Sequence, residues 1–323
     1  MRPLDTTDLI EGIRAGDTVR LSRAITLLES RNPTHARQAM AVMDAVIDPS
    51  NNSQRIAITG VPGVGKSTFI EAIGHRFLHD GHRLAVLAID PTSRRTKGSI
   101  LGDKTRMTTL SHHPDVYVRP SPAGESLGGV ARKTRETILL CEAAGYDTIL
   151  VETVGVGQSE TLVHSMVDLF IVLMLPGAGD ELQGIKRGIM ELADLIVLNK
   201  VEDHNRDLAR HAVRQYKNAL HLMPPKSSGW TAIVETCSAS TGEHIDRVHD
   251  LVRRYFRDIE ANGFKTRQRR DQQVQAFTET LRDLVWTRFA DGTDQHRLHD
   301  LETRVRDGAM SPLQAALRML DQS

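Results

Sequence analysis

An apolar stretch, Arg55-Ile56-Ala57-Ile58-Thr59, runs directly into Gly60-Val61-Pro62-Gly63-Val64-Gly65-Lys66-Ser67, which matches G-x-x-x-x-G-K-[ST] at every defined position. The residues after it, Thr68 to Ile73, are patterned as a helix. A strand, a glycine-rich loop and a helix in that order form a phosphate-binding unit. Glycines let backbone N–H groups turn inward around phosphate oxygens, and the helix N-terminus adds a positive dipole end. The contacting residues are read as Gly60, Val61, Pro62, Gly63, Val64, Gly65, Lys66, Ser67 and Thr68. Lys66 is expected to carry charge to the β- and γ-phosphates, and the Ser67 hydroxyl to ligate magnesium.

This unit sits in a longer alternation. Short apolar runs at Arg55–Thr59, Leu84–Ile89, Asp115–Arg119, Thr148–Glu152, Leu169–Leu175, Leu195–Asn199 and Thr231–Cys237 alternate with helical patterns. Fully apolar strands separated by helices predict an α/β fold, a doubly wound, mostly parallel sheet covered on both faces. Upstream, Leu9 and Ile13, then Leu21, Ile25 and Leu28, then Ala39, Met43 and Val46 mark three helices. The polar stretch Asp48–Gln54 reads as a linker. Downstream of Phe264 the chain becomes charged and helical. Val274, Phe277, Leu281 and Leu284 form a short apolar seam, and Ser311-Pro312 opens a last helix. The seam suits either packing on the chain's own domain or pairing with a second copy. The expected domains are an N-terminal helical extension (1–54), a P-loop nucleotide-binding domain (55–262) and a C-terminal helical arm (263–323).

Composition narrows the partners. Lys plus Arg number 41 and Asp plus Glu number 41, so no bulk charge draws the chain to nucleic acid or an anionic membrane. Cys141 and Cys237 are the two cysteines, too few for a disulfide framework or a cysteine-rich metal site. No apolar run approaches the roughly 18 residues of a membrane span, and the N-terminus lacks a secretory pattern. A cytoplasmic location is expected.

Further elements gather at the carboxyl ends of the strands, where open α/β sheets bind ligands. Glu152 ends one apolar run and is followed by Thr153-Val154-Gly155. A carboxylate there can hold a magnesium-bound water, and Gly155 can bring a backbone N–H to a γ-phosphate. Asp90 ends another run and opens the polar stretch to Thr105, a candidate for ordering by the γ-phosphate. Asp103 within it serves either as a second carboxylate at the metal or as an ordinary solvated side chain. Asn199-Lys200-Val201-Glu202 resembles the N/T-K-x-D element that reads guanine, with Glu202 where aspartate is usual. Ser238, Ala239 and Ser240, after the last apolar run, are the expected second base element. Lys66, Asp90, Asp103 and Glu152 are the expected catalytic group, and Ser67, Asp90, Asp103 and Glu152 the expected metal group.

The strings GVPGVGKST, DPTS…GSILGDKTRM, RPSPAGESLGGVARKTRE, ETVGVGQSE and PGAGDELQGIKRGIMELAD closely resemble the MeaB/ArgK/MMAA family of G proteins. The resemblance implies a homodimeric GTPase of the signal-recognition and MinD-like class. It implies a chaperone that gates adenosylcobalamin loading on an acyl-CoA mutase such as methylmalonyl-CoA mutase and protects or reactivates it. It also implies that Lys66, Ser67, Asp90, Asp103 and Glu152 form the phosphate and magnesium site. The block Gly177–Arg187 would be a further switch, with Asp180, Gln183 and Lys186 as its polar residues. Glu202 departs from the family pattern, as does Lys97 where glycine is commoner.

Two other classes compete. A nickel-inserting GTPase would want His- or Cys-rich ligands, and His112-His113 is the one adjacent histidine pair. A P-loop small-molecule kinase would need neither the guanine-type element nor the Glu152–Gly155 switch.

Overall fold

The structure, a computed structural model, describes residues 5–30, 32–89, 107, 109–119, 127–153, 159–177, 187–292 and 295–320. Seven strands form one sheet: β1 (Gln54–Gly60), β2 (Leu84–Ile89), β3 (Val116–Arg119), β4 (Thr148–Thr153), β5 (Leu169–Met174), β6 (Leu195–Leu198) and β7 (Ile233–Thr236). Their order is β3-β2-β4-β1-β5-β6-β7 and every pairing is parallel. The expected doubly wound sheet is therefore present.

Side chains along these strands alternate between two cores, as the period of a pleated strand requires. Ala57, Leu87, Val151, Phe170 and Val172 join one cluster, while Ile56, Ile58, Val86, Leu150, Ile171 and Leu173 join the other. The first cluster includes the N-terminal helices α1 (Thr6–Arg14), α2 (Thr18–Glu29) and α3 (Pro33–Val46), through Leu9, Ile13, Leu21, Ile25, Val42 and Met43. Asp5, Asp17 and Asn32 cap these helices, each side chain accepting from a backbone N–H of the first turn. Helix α4 (Lys66–His79) contributes Phe69, Ile70, Ile73 and Phe77 to the second cluster.

Among the described residues the other α-helices are α5 (Leu127–Ala143), α6 (Ser159–His164), α7 (Arg187–Leu192), α8 (Arg206–His221), α9 (Ile245–Ala261), α10 (Phe264–Gly292), α11 (Gln295–Arg306) and α12 (Pro312–Leu320). The first compact unit runs to Gln272, so it includes the opening turns of α10. Those turns are fastened to the loops at the amino ends of β1 and β5. Lys265 Nζ donates to Asn52 Oδ1 at 2.8 Å, Arg269 donates to both Asp168 oxygens at 2.8 and 2.7 Å, and Gln272 Nε2 donates to Val167 O at 2.8 Å.

The second unit spans Gln273–Ser323. Leu301, Met310 and Ala315 form its small core, and Ser311 Oγ accepts from the Gln314 N–H, so Ser311-Pro312 opens α12 as expected. Val274, Phe277, Leu281 and Leu284 of the predicted seam are all exposed. Among the described residues, no helix is long and apolar enough to cross a membrane.

Candidate nucleotide site

Because every strand is parallel, the carboxyl ends of β1, β4, β5, β6 and β7 share one edge, and the candidate residues collect there. The register pairs Ile58 with Glu152 and Gly60 with Leu173, which sets the phosphate loop between the ends of β4 and β5. Gly60 has φ 153°, and a Cβ there would stand 2.5 Å from the Leu173 carbonyl oxygen, so only glycine fits. Gly65, at φ 93°, ends the loop as the N-cap of α4. Lys66 Nζ donates to Gly60 O at 2.8 Å, holding the ammonium over the loop it is expected to serve.

Across the edge, Ser67 Oγ donates to Glu152 Oε1 at 3.2 Å. Glu152 is 5% exposed. Beside it, the buried Thr153 hydroxyl donates to that of Thr59 at 2.7 Å and ties the last turns of β1 and β4 together. This brings two expected metal-binding residues, Ser67 and Glu152, side by side. Asp90, Asp103, Gly155, Asp180, Gln183 and Lys186, with Lys97, lie outside the described residues.

The expected base elements also converge. Asn199, 1% exposed, donates from Nδ2 to Val64 O at 2.9 Å, and its Oδ1 accepts from the Ala239 N–H at 3.0 Å and from Cys237 Sγ at 3.5 Å. One side chain thus joins the phosphate loop to the loop after β7. Lys200, at φ 61°, sends its ammonium to Gly63 O at 2.7 Å. Ser240 Oγ donates to Glu202 Oε1 at 3.5 Å and lies 3.0 Å from Ser238 Oγ. Burial, with a smaller push from Glu235, raises the Cys237 thiol to about 12. It stays protonated and acts as a packing group and weak donor. Cys141 is raised in the same direction, chiefly by burial. Both cysteines are free.

Sequence reasoning missed three supports. Glu71, one helical turn beyond Ser67, accepts from the Thr109 and Leu110 N–H groups at 2.9 and 3.0 Å. The Thr59–Thr153 pair looks like ordinary strand chemistry in the sequence, and Asn205 stands three residues past Glu202 with no motif to mark it. His113 Nδ1 is 4.0 Å from Asp115 Oδ2, next to the 3-10 turn that holds His112. Among the described residues, no group of three or more His, Cys, Asp or Glu side chains is placed to hold a metal.

A strand-edge phosphate loop with its Lys and Ser, an acidic strand end, and an Asn bridging to a base loop are the parts of a GTP-hydrolysing site. Comparison with known proteins agrees. Residues 21–294 match the family described as "Methylmalonyl Co-A mutase-associated GTPase MeaB". The chain is 48% identical to "Probable GTPase Rv1496" of Mycobacterium tuberculosis over 98% of its own length and 95% of the relative's. It is 40% identical to the "Methylmalonic aciduria type A homolog, mitochondrial" of Mus musculus, over 95% of this chain and 77% of that one. The crystal structure of a "LAO/AO transport system kinase" superposes with a TM-score of 0.79 at 33% identity, covering 99% of this chain and 98% of the other. With matches of this extent over both the sheet and its site, the chain belongs to the MeaB family of GTPases.

Proposed function

We propose that this GTPase is a magnesium-dependent switch that gates adenosylcobalamin loading on a B12-dependent acyl-CoA mutase and protects or reactivates it. Methylmalonyl-CoA mutase or a close relative is the client, and the chain acts as a cytoplasmic homodimer. The observation that carries the reading is the family match over residues 21–294, whose description names association with that mutase.

The site supports the chemistry. The Ser67 hydroxyl and Glu152 carboxylate are hard oxygen donors placed together beside the phosphate loop, a donor set that suits magnesium. Magnesium, when bound, neutralises charge on the phosphate oxygens. Lys66 serves the β- and γ-phosphates, and the loop N–H groups orient them. Asp90 and Asp103 are proposed as further metal carboxylates, Gly155 as a γ-phosphate contact, and Asp180, Gln183 and Lys186 as switch residues. Asn199, Lys200, Glu202, Ser238, Ala239 and Ser240 receive the guanine. Among the described residues at the edge none is a strong general base, and turnover is proposed to rest on positioning and electrostatics. Slow hydrolysis, raised by the mutase, follows.

The division into an N-terminal extension (1–54), a GTPase domain (55–262) and a dimerisation arm (263–323) belongs to the same proposal. The exposed seam of Val274, Phe277, Leu281 and Leu284 supports pairing of two arms.

The test is to titrate methylmalonyl-, isobutyryl-, 2-hydroxyisobutyryl- and ethylmalonyl-CoA mutases into a GTP hydrolysis assay and to follow complex formation by co-elution. One of them should raise the rate and bind in a nucleotide-dependent way. If none does either, the chaperone reading fails and the GTPase stands.

A further inference from the structure

We infer that Asn205 and Ser240 are positioning residues for guanine selectivity, because together they bracket Glu202. The inference rests on Glu202 reading the base. Glutamate reaches about one C–C bond, ~1.5 Å, further than the aspartate usual at this place and has one more torsion to fix. A bidentate contact to the guanine N1–H and N2–H₂ groups requires that carboxylate to be held before the base arrives.

The structure holds it from two sides. Glu202 precedes the 3-10 turn Asp203–Asn205 and closes a capping box with it. The Asn205 backbone N–H donates to the Glu202 side chain, while Asn205 Oδ1 accepts from the Glu202 N–H at 2.9 Å. The curl back over the turn takes up the extra methylene. Asn205 Nδ2 also donates to Lys200 O at 2.9 Å, which steadies a residue held at φ 61°.

The second side comes from the loop after β7. Ser240 Oγ donates to Glu202 Oε1 at 3.5 Å and is itself 3.0 Å from Ser238 Oγ. Ser238 is fully buried, and its N–H donates to Glu243 O at 2.9 Å, so the serine pair stands on a fixed backbone. The half-exposed Glu202 carboxylate therefore has one support on each of the two loops that flank the base edge.

The test measures binding of GDP, IDP and ADP to the full chain. Inosine lacks the N2 amino group, so the GDP-over-IDP ratio reads the carboxylate contact directly. Ser240→Ala should weaken GDP binding by about five- to tenfold and narrow that ratio, the size of an ordinary hydrogen bond and in keeping with the 3.5 Å contact. Ser240→Thr keeps the hydroxyl and should stay within about twofold of the parent. In the Glu202→Asp background, the same Ser240→Ala change should cost less than about twofold, because the shorter carboxylate needs no bracket. Asn205→Ala should lower the GDP-over-IDP ratio in the parent more than in that background. Equal losses in both backgrounds would mean a merely structural role and overturn the inference, as would no loss in either. A parent chain that binds ADP as tightly as GDP would remove the base reading itself, whatever the Ser240 series shows.

Discussion

The Nδ2 of Asn199 donates to the carbonyl oxygen of Val64 across 135 residues of sequence, at 2.9 Å, in a setting where neither group reaches water. The same amide accepts from the Ala239 N–H, so a single side chain fixes the distance between the phosphate loop and the loop after β7. Asn199→Ala would strand both backbone partners. A buried group left without its partner costs about 1–3 kcal/mol, so the loss should be about 2–6 kcal/mol of folding stability in the nucleotide-free protein. Urea unfolding measures it, and GDP affinity should fall in parallel. An unchanged midpoint would mean that the two loops are held by something else.

The metal role proposed for the Ser67–Glu152 pair can be separated from phosphate binding. Glu152→Gln preserves shape and can still accept from Ser67, but it removes the negative charge. Half-saturation of GTP hydrolysis by magnesium should move upward by about 10–100-fold, the range seen when a metal's supporting carboxylate is lost. Nucleotide binding without magnesium should weaken far less. The check is phosphate release against magnesium concentration, and an unmoved curve would place the metal elsewhere.

Asp168 and Arg269 give a pH signature far from the nucleotide. Burial alone would raise the Asp168 carboxyl. The hydrogen bonds and charge of Arg269, then the charge and N–H of Arg55, outweigh it and hold the group below the usual range. A carboxyl depressed in the folded state stabilises the fold above its unfolded value, about 3.9, and loses that contribution as pH falls through the folded value. Arg269→Met leaves Asp168 buried without its main partner and should cost about 3–5 kcal/mol near neutrality. The advantage of the parent over the doubly neutral Asp168→Asn/Arg269→Met chain should shrink on acidification below about pH 4. Unfolding midpoints at neutral and acid pH test both statements.

What the sequence reveals and what it hides divides along physical lines. Each apolar run begins and ends within two residues of its strand, because the central strands are buried on both faces and must be apolar throughout, a pattern that the edge strands β3 and β7 keep in part. The opening of α12 at Ser311-Pro312 is local and equally readable, whereas the caps at Asp17 and Asn32 emerge only from the structure. The phosphate loop shows itself because its glycines and Lys66 are required by backbone geometry at fixed spacing. Asn199 can be placed in a base element, but its bond to Val64 depends on how β1, β5 and β6 lie beside each other. Lys265 and Arg269 sit in a charged helical segment where they look like any solvated pair, and only the tertiary structure reveals that Arg269 is committed to Asp168. Asn205 is hidden for the opposite reason. It is a polar residue in a polar turn, and its bonds to Lys200 and Glu202 are all local.

Gly65 and Gly63 offer a comparison that isolates the Asn199 brace. Both lie at positive φ, 93° and 79°, where alanine costs roughly 1–2 kcal/mol of backbone strain. They differ in what an added methyl meets. At Gly63 there is nothing within 4 Å, whereas at Gly65 the Cβ would stand 2.9 Å from Asn199 Nδ2. A side-chain end usually swings away from such a contact, but Asn199 is bonded at both ends and cannot move without breaking one bond. Gly65→Ala should therefore destabilise the nucleotide-free protein by about 1–3 kcal/mol more than Gly63→Ala, the penalty of one stranded buried group. In the Asn199→Ala background that excess should vanish, because the obstructing amide is gone. Thermal or urea unfolding of the four chains decides it, and an excess that survives removal of Asn199 would assign the cost to the backbone at Gly65 alone.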